Sequence, residues 1–221
     1  MTPSLENTVT DWREVLPIVK PFYERFFGEE MQWGDITLYV MPLDEETGGQ
    51  LNLESGDICI NSNIPIENVP KTFVHELAHK KYEEATGIGM TYAKKTVTRI
   101  PFLRAHYRKK HSLNLFLHEC IAKTVEFLFS EEDVILDCKR LDGSTTKSIR
   151  YTSLDIACSD IEFTEIYGFH YKRLPGQLTA RALFIGKYLA TKYENDPNLW
   201  SKLKQLRTLD DLKELVEGEW P

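Results

Sequence analysis

The stretch FVHELAHKKY, Phe73–Tyr82, is the part of the sequence from which the rest of the chain is best interpreted. It contains HELAH, and in a helix His75 and His79 lie one turn apart on the same face. Their ring nitrogens can then bind one metal ion, and Glu76 can take a proton from a water bound to that ion. The sequence therefore predicts a zinc site with His75 and His79 as ligands and Glu76 as the general base.

The size and composition of the chain are those of one folded domain. It has 221 residues, of which 42% are hydrophobic, enough for a buried core. No run approaches the roughly 18 to 20 apolar residues that span a membrane, and the N-terminus lacks the pattern of a secretory signal. The four cysteines form no CxxC pair, so we expect reduced thiols in a cytoplasmic protein. Cys120 lies in an apolar helical pattern and is predicted to be a small core residue.

Charge is distributed unevenly along the chain. The net charge is -7, which argues against nucleic acid as a partner of the whole protein. Between Lys80 and His118, however, nine basic residues face only two acidic ones. This part of the chain is interpreted either as a solvated insertion or as a docking surface for an acidic partner, centred on the basic segment 94–111.

The sequence before and within the motif predicts a helix, a strand, a hairpin and the helix that carries HELAH. Helical and alternating apolar spacing supports these elements, and glycine and proline mark their ends. The predicted elements are a helix over Asp11–Phe27, bent or restarted at Pro17 and Pro21, a strand over Ile36–Met41, a hairpin of Gln50–Leu53 and Asp57–Asn61, and the motif helix over Val69–Ala85. The hairpin offers an edge strand that could pair with an extended peptide beside the metal.

A second helix, predicted to begin near Ser112, carries two glutamates at the edge of an apolar stripe. Glu119 and Glu126 are seven residues apart and therefore lie on one helix face. Two histidines leave a zinc site one protein ligand short, and a buried carboxylate needs a partner or a metal. We expect Glu119 to be the third ligand, because Ala122 one turn on allows a close approach to the motif helix. Glu126 is the second candidate.

The C-terminal half has a less regular pattern. The polar stretch between Asp137 and Arg150 predicts a loop or a hairpin. Leu178–Tyr193 is predicted to be a helix, and Trp200–Leu206 and Leu209–Val216 are predicted to form two short amphipathic helices.

HELAH followed by a helical glutamate resembles the gluzincin metallopeptidases, and among them the small intracellular ImmA/IrrE-like family. The resemblance covers about Gly49–Val134 and rests on the hairpin, on HELAH and on ECIAKTVEFLFSEEDV. The last stretch is similar to the ligand glutamate, the alanine-rich helix and the acidic stop of that family. The chain departs from the pattern at Lys123, where related peptidases often carry Asp or Asn. Position 85 is Ala, so the third histidine of the metzincin motif is absent.

The resemblance implies a zincin-like α+β fold, in which a small sheet with an antiparallel edge packs on the HExxH helix and a mainly helical part follows. We predict one domain over residues 1–221. It would consist of an N-terminal subdomain over 1–87, a basic insertion over 88–111 and a helical C-terminal subdomain over 112–221.

The activity implied by the resemblance is that of a zinc metallopeptidase acting on peptide bonds of intracellular proteins. His75, His79 and Glu119 would hold Zn2+, and Glu76 would act as general base on the zinc-bound water. The alternative is a zinc-binding interaction module without hydrolytic activity. A site closed by four protein ligands would favour that module, and an open fourth position favours the peptidase.

The oxyanion that forms during amide hydrolysis requires a further hydrogen-bond donor or charge. Tyr167, His170 and Tyr171, in the stretch EIYGFHYKR, are the candidates for this role. The remaining histidines of the central region, His106, His111 and His118, are predicted to be solvated.

Overall fold

The computed structural model describes the backbone of eight stretches of the chain. It describes side chains in most of these residues but not in 12–14, 101–112, 134–139, 145–151 and 175–181. The described stretches are 12–31, 37–43, 48–52, 55–89, 101–132, 134–139, 145–151 and 175–217.

The described chain contains six α-helices and five strands, so the predicted α+β class is confirmed. Helices account for most of the regular structure. The helices are α1 (Trp12–Phe27), α2 (Val69–Thr86), α3 (Pro101–Phe129), α4 (Pro175–Lys192), α5 (Leu199–Leu203) and α6 (Leu209–Glu217), and the strands are β1 (Leu38–Met41), β2 (Gly49–Leu51), β3 (Ile58–Asn61), β4 (Val134–Lys139) and β5 (Thr145–Tyr151).

Helix α1 buries the residues that the apolar spacing had indicated. Val15, Val19 and Phe22, each one helical turn from the next, are buried. Pro17 and Pro21 lie on the exposed face, and the helix runs through both of them as one element. The predicted helix is confirmed as one element, without a restart at either proline.

The three N-terminal strands form one mixed sheet in the order β1-β3-β2. β2 pairs with β3 in antiparallel register, with Gln50 opposite Cys59, so the predicted hairpin is confirmed. β1 pairs with β3 in parallel, with Val40 opposite Ile60. Ile58 and Ile60 are fully buried, and the sheet packs on α2 with β2 at its edge.

Helix α2 has the bounds that its flanking residues predict. It begins at Val69, with Pro70 in the first turn, where a missing N–H is tolerated. Asn68 occupies the N-cap position without a hydrogen bond from its side chain, and a short 3-10 turn over Ile66–Asn68 leads into the helix. Gly87 ends it in the left-handed conformation at φ 68°, where its N–H bonds the carbonyl of Glu83.

Helix α3 is longer than predicted. The expected start near Ser112 is wrong, because the helix begins at Pro101 and runs without a break to Phe129. Proline suits the first turn of a helix, and residues 102–112 contain neither glycine nor proline to interrupt it. The second half of the predicted basic insertion over 88–111 is therefore helical backbone.

The C-terminal helices complete the core. α4 packs along α3, and α6 contacts both. The undecided stretch over 137–150 is a hairpin, in which β4 and β5 pair in antiparallel register. Within the described part of the chain, no helix combines the length and the apolar character needed to cross a membrane.

Candidate metal centre

The candidate centre lies where the HELAH face of α2 packs on α3. His75 and His79 point their Nε2 atoms at each other across 3.0 Å. Glu119 reaches the same point from α3, with one carboxylate oxygen 3.8 Å from His75 Nε2 and the other 3.7 Å from His79 Nε2. Among the described residues, these three form the only group of side chains placed so that it could hold a metal ion.

The three donors fit a tetrahedral zinc ion. Zinc bonds of about 2.0–2.1 Å place the ligand atoms about 3.3 Å apart, close to the distances observed here. Two imidazoles and one carboxylate are also the donor set of many catalytic zinc sites. The side chains of Glu119 and His75 remain 21% and 12% exposed, whereas His79 is buried, so solvent reaches the centre from the Glu119 side.

Glu126 fixes the orientation of the His75 ring. Its Oε2 accepts a hydrogen bond from His75 Nδ1 at 2.8 Å and another from Lys123 Nζ at 2.7 Å. Burial opposes ionisation of Glu126, but the bonds and charges of His75 and Lys123 outweigh it and lower its pKa to about 2. An ionised carboxylate on Nδ1 leaves the lone pair of Nε2 for a metal.

The same neighbours affect the histidines. Burial and the charge of Lys123 oppose protonation of His75, yet contact with Glu126 raises its pKa overall. His79 has no carboxylate on its ring, and burial holds its pKa well below the ordinary value. The two histidines thus differ in their surroundings: His75 has a carboxylate on its Nδ1, and His79 has none among the described residues. The sequence motif gives no sign of this difference.

Glu76 lies against the edge strand. Burial raises the pKa of its carboxyl to about 7; Glu119 adds to the rise, and His75 and a backbone hydrogen bond from Leu51 oppose it. Gly49 makes this approach possible, since a Cβ there would lie 3.0 Å from Glu76 Cγ and 2.8 Å from Thr72 Cγ2. β2 therefore runs directly beside the carboxylate of the motif.

The structure brings His75, Glu76, His79 and Glu119 together. Glu126, the second candidate for third ligand, contacts the far nitrogen of His75 and not the centre itself. Tyr167, His170 and Tyr171 lie outside the described residues, as do the side chains of His106 and His111.

The prediction for His118 is wrong. The side chain is fully buried, its Nε2 lies 2.6 Å from the carbonyl oxygen of Ile88, and burial lowers its pKa to about 4. Its ring lies beside His79, with 5.5 Å between centroids. The helical spacing from His118 to Ala122 and Val125 is a signal that would have placed it on the buried stripe.

The orienting role of Glu126 was missed as well. Its position two turns after Glu119 showed that both lie on one face, and that was the correct part of the inference. The resemblance directed attention to position 123 for the partner of the ligand histidine. In the structure the partner of His75 is Glu126, and Lys123 forms an ion pair with Glu126.

Comparison of the chain with models of protein families, with curated proteins and with solved structures found no match.

Proposed function

We propose that the chain is a zinc-dependent metallopeptidase with a zincin-like arrangement of its sheet and its two site helices. The observation that carries the proposal is the convergence of His75 Nε2, His79 Nε2 and the Glu119 carboxylate, with Glu76 beside them. A structural zinc site uses four protein ligands. Three donors converge here, and solvent reaches them from the Glu119 side, which supports a centre with a position open to substrate and water.

The ion and the side chains would supply different parts of the hydrolytic chemistry. His75, His79 and Glu119 would hold a zinc ion, which would lower the pKa of a bound water and polarise a substrate carbonyl. Glu76, with a pKa raised to about 7, suits a group that takes a proton from the attacking water and returns it to the leaving amine. Glu126 and Lys123 keep the His75 ring in place throughout.

The edge strand favours a peptide as the substrate. Asn61 N–H bonds the Gly48 carbonyl, and Asn52 N–H bonds the Asp57 carbonyl. By the alternation of an antiparallel ladder, the backbone groups of Gly49 and Leu51 then point away from β3. The Leu51 N–H bonds Glu76, so the groups of Gly49 and the carbonyl of Leu51 are those offered to a peptide. An extended peptide that paired with this edge by β-strand addition would lie beside Glu76. We place such substrates among intracellular proteins.

The substitution Glu76→Gln tests the proposal. Glutamine keeps the shape of the side chain and removes its basicity, so zinc content and thermal stability should stay near those of the wild type. Peptide-bond cleavage should fall by several orders of magnitude. The measurements are metal analysis, thermal unfolding and mass spectrometry of a peptide library incubated with the zinc-loaded protein.

The same substitution at the exposed Glu67 is the matched control and should leave cleavage unchanged. Cleavage by Glu76→Gln at the wild-type rate would exclude the role of Glu76. A wild-type protein that binds zinc but cleaves no peptide would support the zinc-binding interaction module.

A further inference from the structure

Two buried ring nitrogens on neighbouring histidines have no hydrogen-bond partner among the described residues. They are Nδ1 of His79 and Nδ1 of His118. A buried polar atom without a partner is costly, and a pair of them in one place calls for an explanation. The rings lie 5.5 Å apart between centroids and are tilted by 35°.

The hydrogen-bonding character of each nitrogen follows from the opposite side of its ring. His118 Nε2 lies 2.6 Å from the carbonyl oxygen of Ile88, which can only accept, so Nε2 carries the hydrogen. In the neutral ring, Nδ1 of His118 is then an acceptor. His79 Nε2 faces the candidate centre, and with zinc bound there it would offer its lone pair to the ion, so the hydrogen of His79 would be on Nδ1.

With zinc bound, the two unpaired atoms are therefore complementary, His79 Nδ1 as donor and His118 Nδ1 as acceptor. The ring centroids lie 5.5 Å apart, which leaves room for a direct hydrogen bond between the two atoms or for one bridging water. Tyr82 packs its ring edge-on against His118 at 4.8 Å and limits the movement of that ring.

We propose that His118 is a positioning residue for the second zinc ligand. It accepts the hydrogen of His79 Nδ1 and so holds the His79 ring with Nε2 toward the centre, as Glu126 does for His75. The inference rests on the proposed zinc site. It adds a neutral histidine as the support of one ligand, where the other ligand has a carboxylate.

The two nitrogens of His118 can be tested separately. In His118→Gln, the side-chain amide can still donate to the Ile88 carbonyl near the position of Nε2, but the acceptor at Nδ1 is lost. In His118→Asn, an amide oxygen can replace the Nδ1 acceptor, and the bond to Ile88 is lost. A merely structural role would make the asparagine variant the more damaging of the two in every measurement.

The experiment measures zinc affinity by competition with a chelator dye, and thermal unfolding of the metal-free protein, for the wild type and both variants. We expect His118→Gln to lose on the order of 10-fold to 100-fold in zinc affinity, with unfolding near that of the wild type. We expect His118→Asn to unfold at lower temperature and to recover most of the affinity. Nitrogen-15 NMR of the zinc-loaded wild type should show a hydrogen on Nδ1 of His79 and none on Nδ1 of His118.

Equal zinc affinity in the wild type and His118→Gln would overturn the role of His118 and leave the proposed zinc site intact. Failure of the wild type itself to bind zinc would contradict the proposed function. A hydrogen on Nδ1 of His118 in the NMR spectrum would also overturn the inference, because two donors cannot bond each other.

Discussion

Two glutamates on one face of α3 lie at opposite sides of the His75 ring. Glu119 approaches Nε2 at 3.8 Å, and Glu126 bonds Nδ1 at 2.8 Å. Their seven-residue spacing corresponds to about 10.5 Å of helix, so the ring lies between them. One helix thereby provides both a candidate ligand and the support of another ligand. Because the two side chains are placed differently, we expect their replacement to have different effects on zinc binding.

Glu119→Ala should abolish tight zinc binding, because it removes one of three donors. Glu126→Gln should weaken binding only about 10-fold, since the amide oxygen still accepts from His75 while the ionic contact with Lys123 is lost. Zinc affinity by competition with a chelator measures both. Glu131→Gln, at an exposed position near the end of the same helix, is the control. Stronger loss in Glu126→Gln than in Glu119→Ala would make Glu126 the ligand.

Helix α4 supports the site from behind α3. The two helices touch at Gly186, where a Cβ would lie 2.5 Å from Lys123 Cβ and 2.8 Å from its carbonyl carbon. Glycine is thus required by the close approach of the helices. The same contact holds the backbone of Lys123, the residue that bonds Glu126.

Gly186→Ala should destabilise the protein, although the same change in an open helix position stabilises by about 0.5–1 kcal/mol. The methyl group would force the helices apart, and overpacking of this kind costs about 1–3 kcal/mol. Urea unfolding of the metal-free protein measures the effect. Stabilisation would show that the helices separate without cost.

The end of α1 is linked to α2 through Glu29. Its Oε1 accepts from Tyr23 Oη and from Lys81 Nζ, each at 2.5 Å. Burial by itself would raise the pKa of Glu29, but these hydrogen bonds outweigh it and lower the pKa below the ordinary value. The link therefore stabilises the fold only while Glu29 is ionised.

A lowered folded pKa gives a defined pH dependence. The contribution of Glu29 should be full above its unfolded pKa of about 4.3 and should be lost as the pH falls through the lower folded value. Glu29→Gln should thus destabilise the protein at pH 7 by a small amount, because the group is partly exposed, and the difference should vanish in acid. Thermal unfolding between pH 7 and 3 measures this. Glu30→Gln, at the exposed neighbour, should show no such convergence.

The distribution of charge concerns the molecule as a whole. Nine basic and two acidic residues between Lys80 and His118 stand against a net charge of -7. The backbone of residues 101–111 belongs to α3, and position 109 lies about 15 Å along the helix axis from Glu119. The described part of the basic segment, residues 101–111, therefore leads toward the candidate centre along α3. An acidic partner drawn to it would be held near the site.

Replacement of Arg108, Lys109 and Lys110 by Glu should slow cleavage of an acidic protein substrate and leave cleavage of a short neutral peptide unchanged. The attraction should weaken with salt, because exposed charges are screened over about 10 Å at 0.1 M ionic strength. A salt titration of both cleavage rates measures the difference. The same salt dependence for protein and peptide would mean that the segment is only a solvated surface.

The motif itself was predictable because its geometry is local. In HELAH the spacing of His75 and His79 and the place of Glu76 follow from the helical repeat, and Gly87 ends the helix by its own backbone preference. The hairpin of β2 and β3 follows from alternation and turn residues in the same way. These elements depend on contacts between residues that are close in sequence.

The tertiary structure alone decided which groups support the candidate ligands. Three contacts depend on how α2 packs on α3 and on the sheet. They are the hydrogen bond between His75 and Glu126, the packing of His118 against His79, and the close approach of Glu76 to Gly49 at the edge of β2. Periodicity gives the face of a helix on which a residue lies. The partner on the other side of that face is set by packing between distant segments, and no local pattern encodes the distance between them.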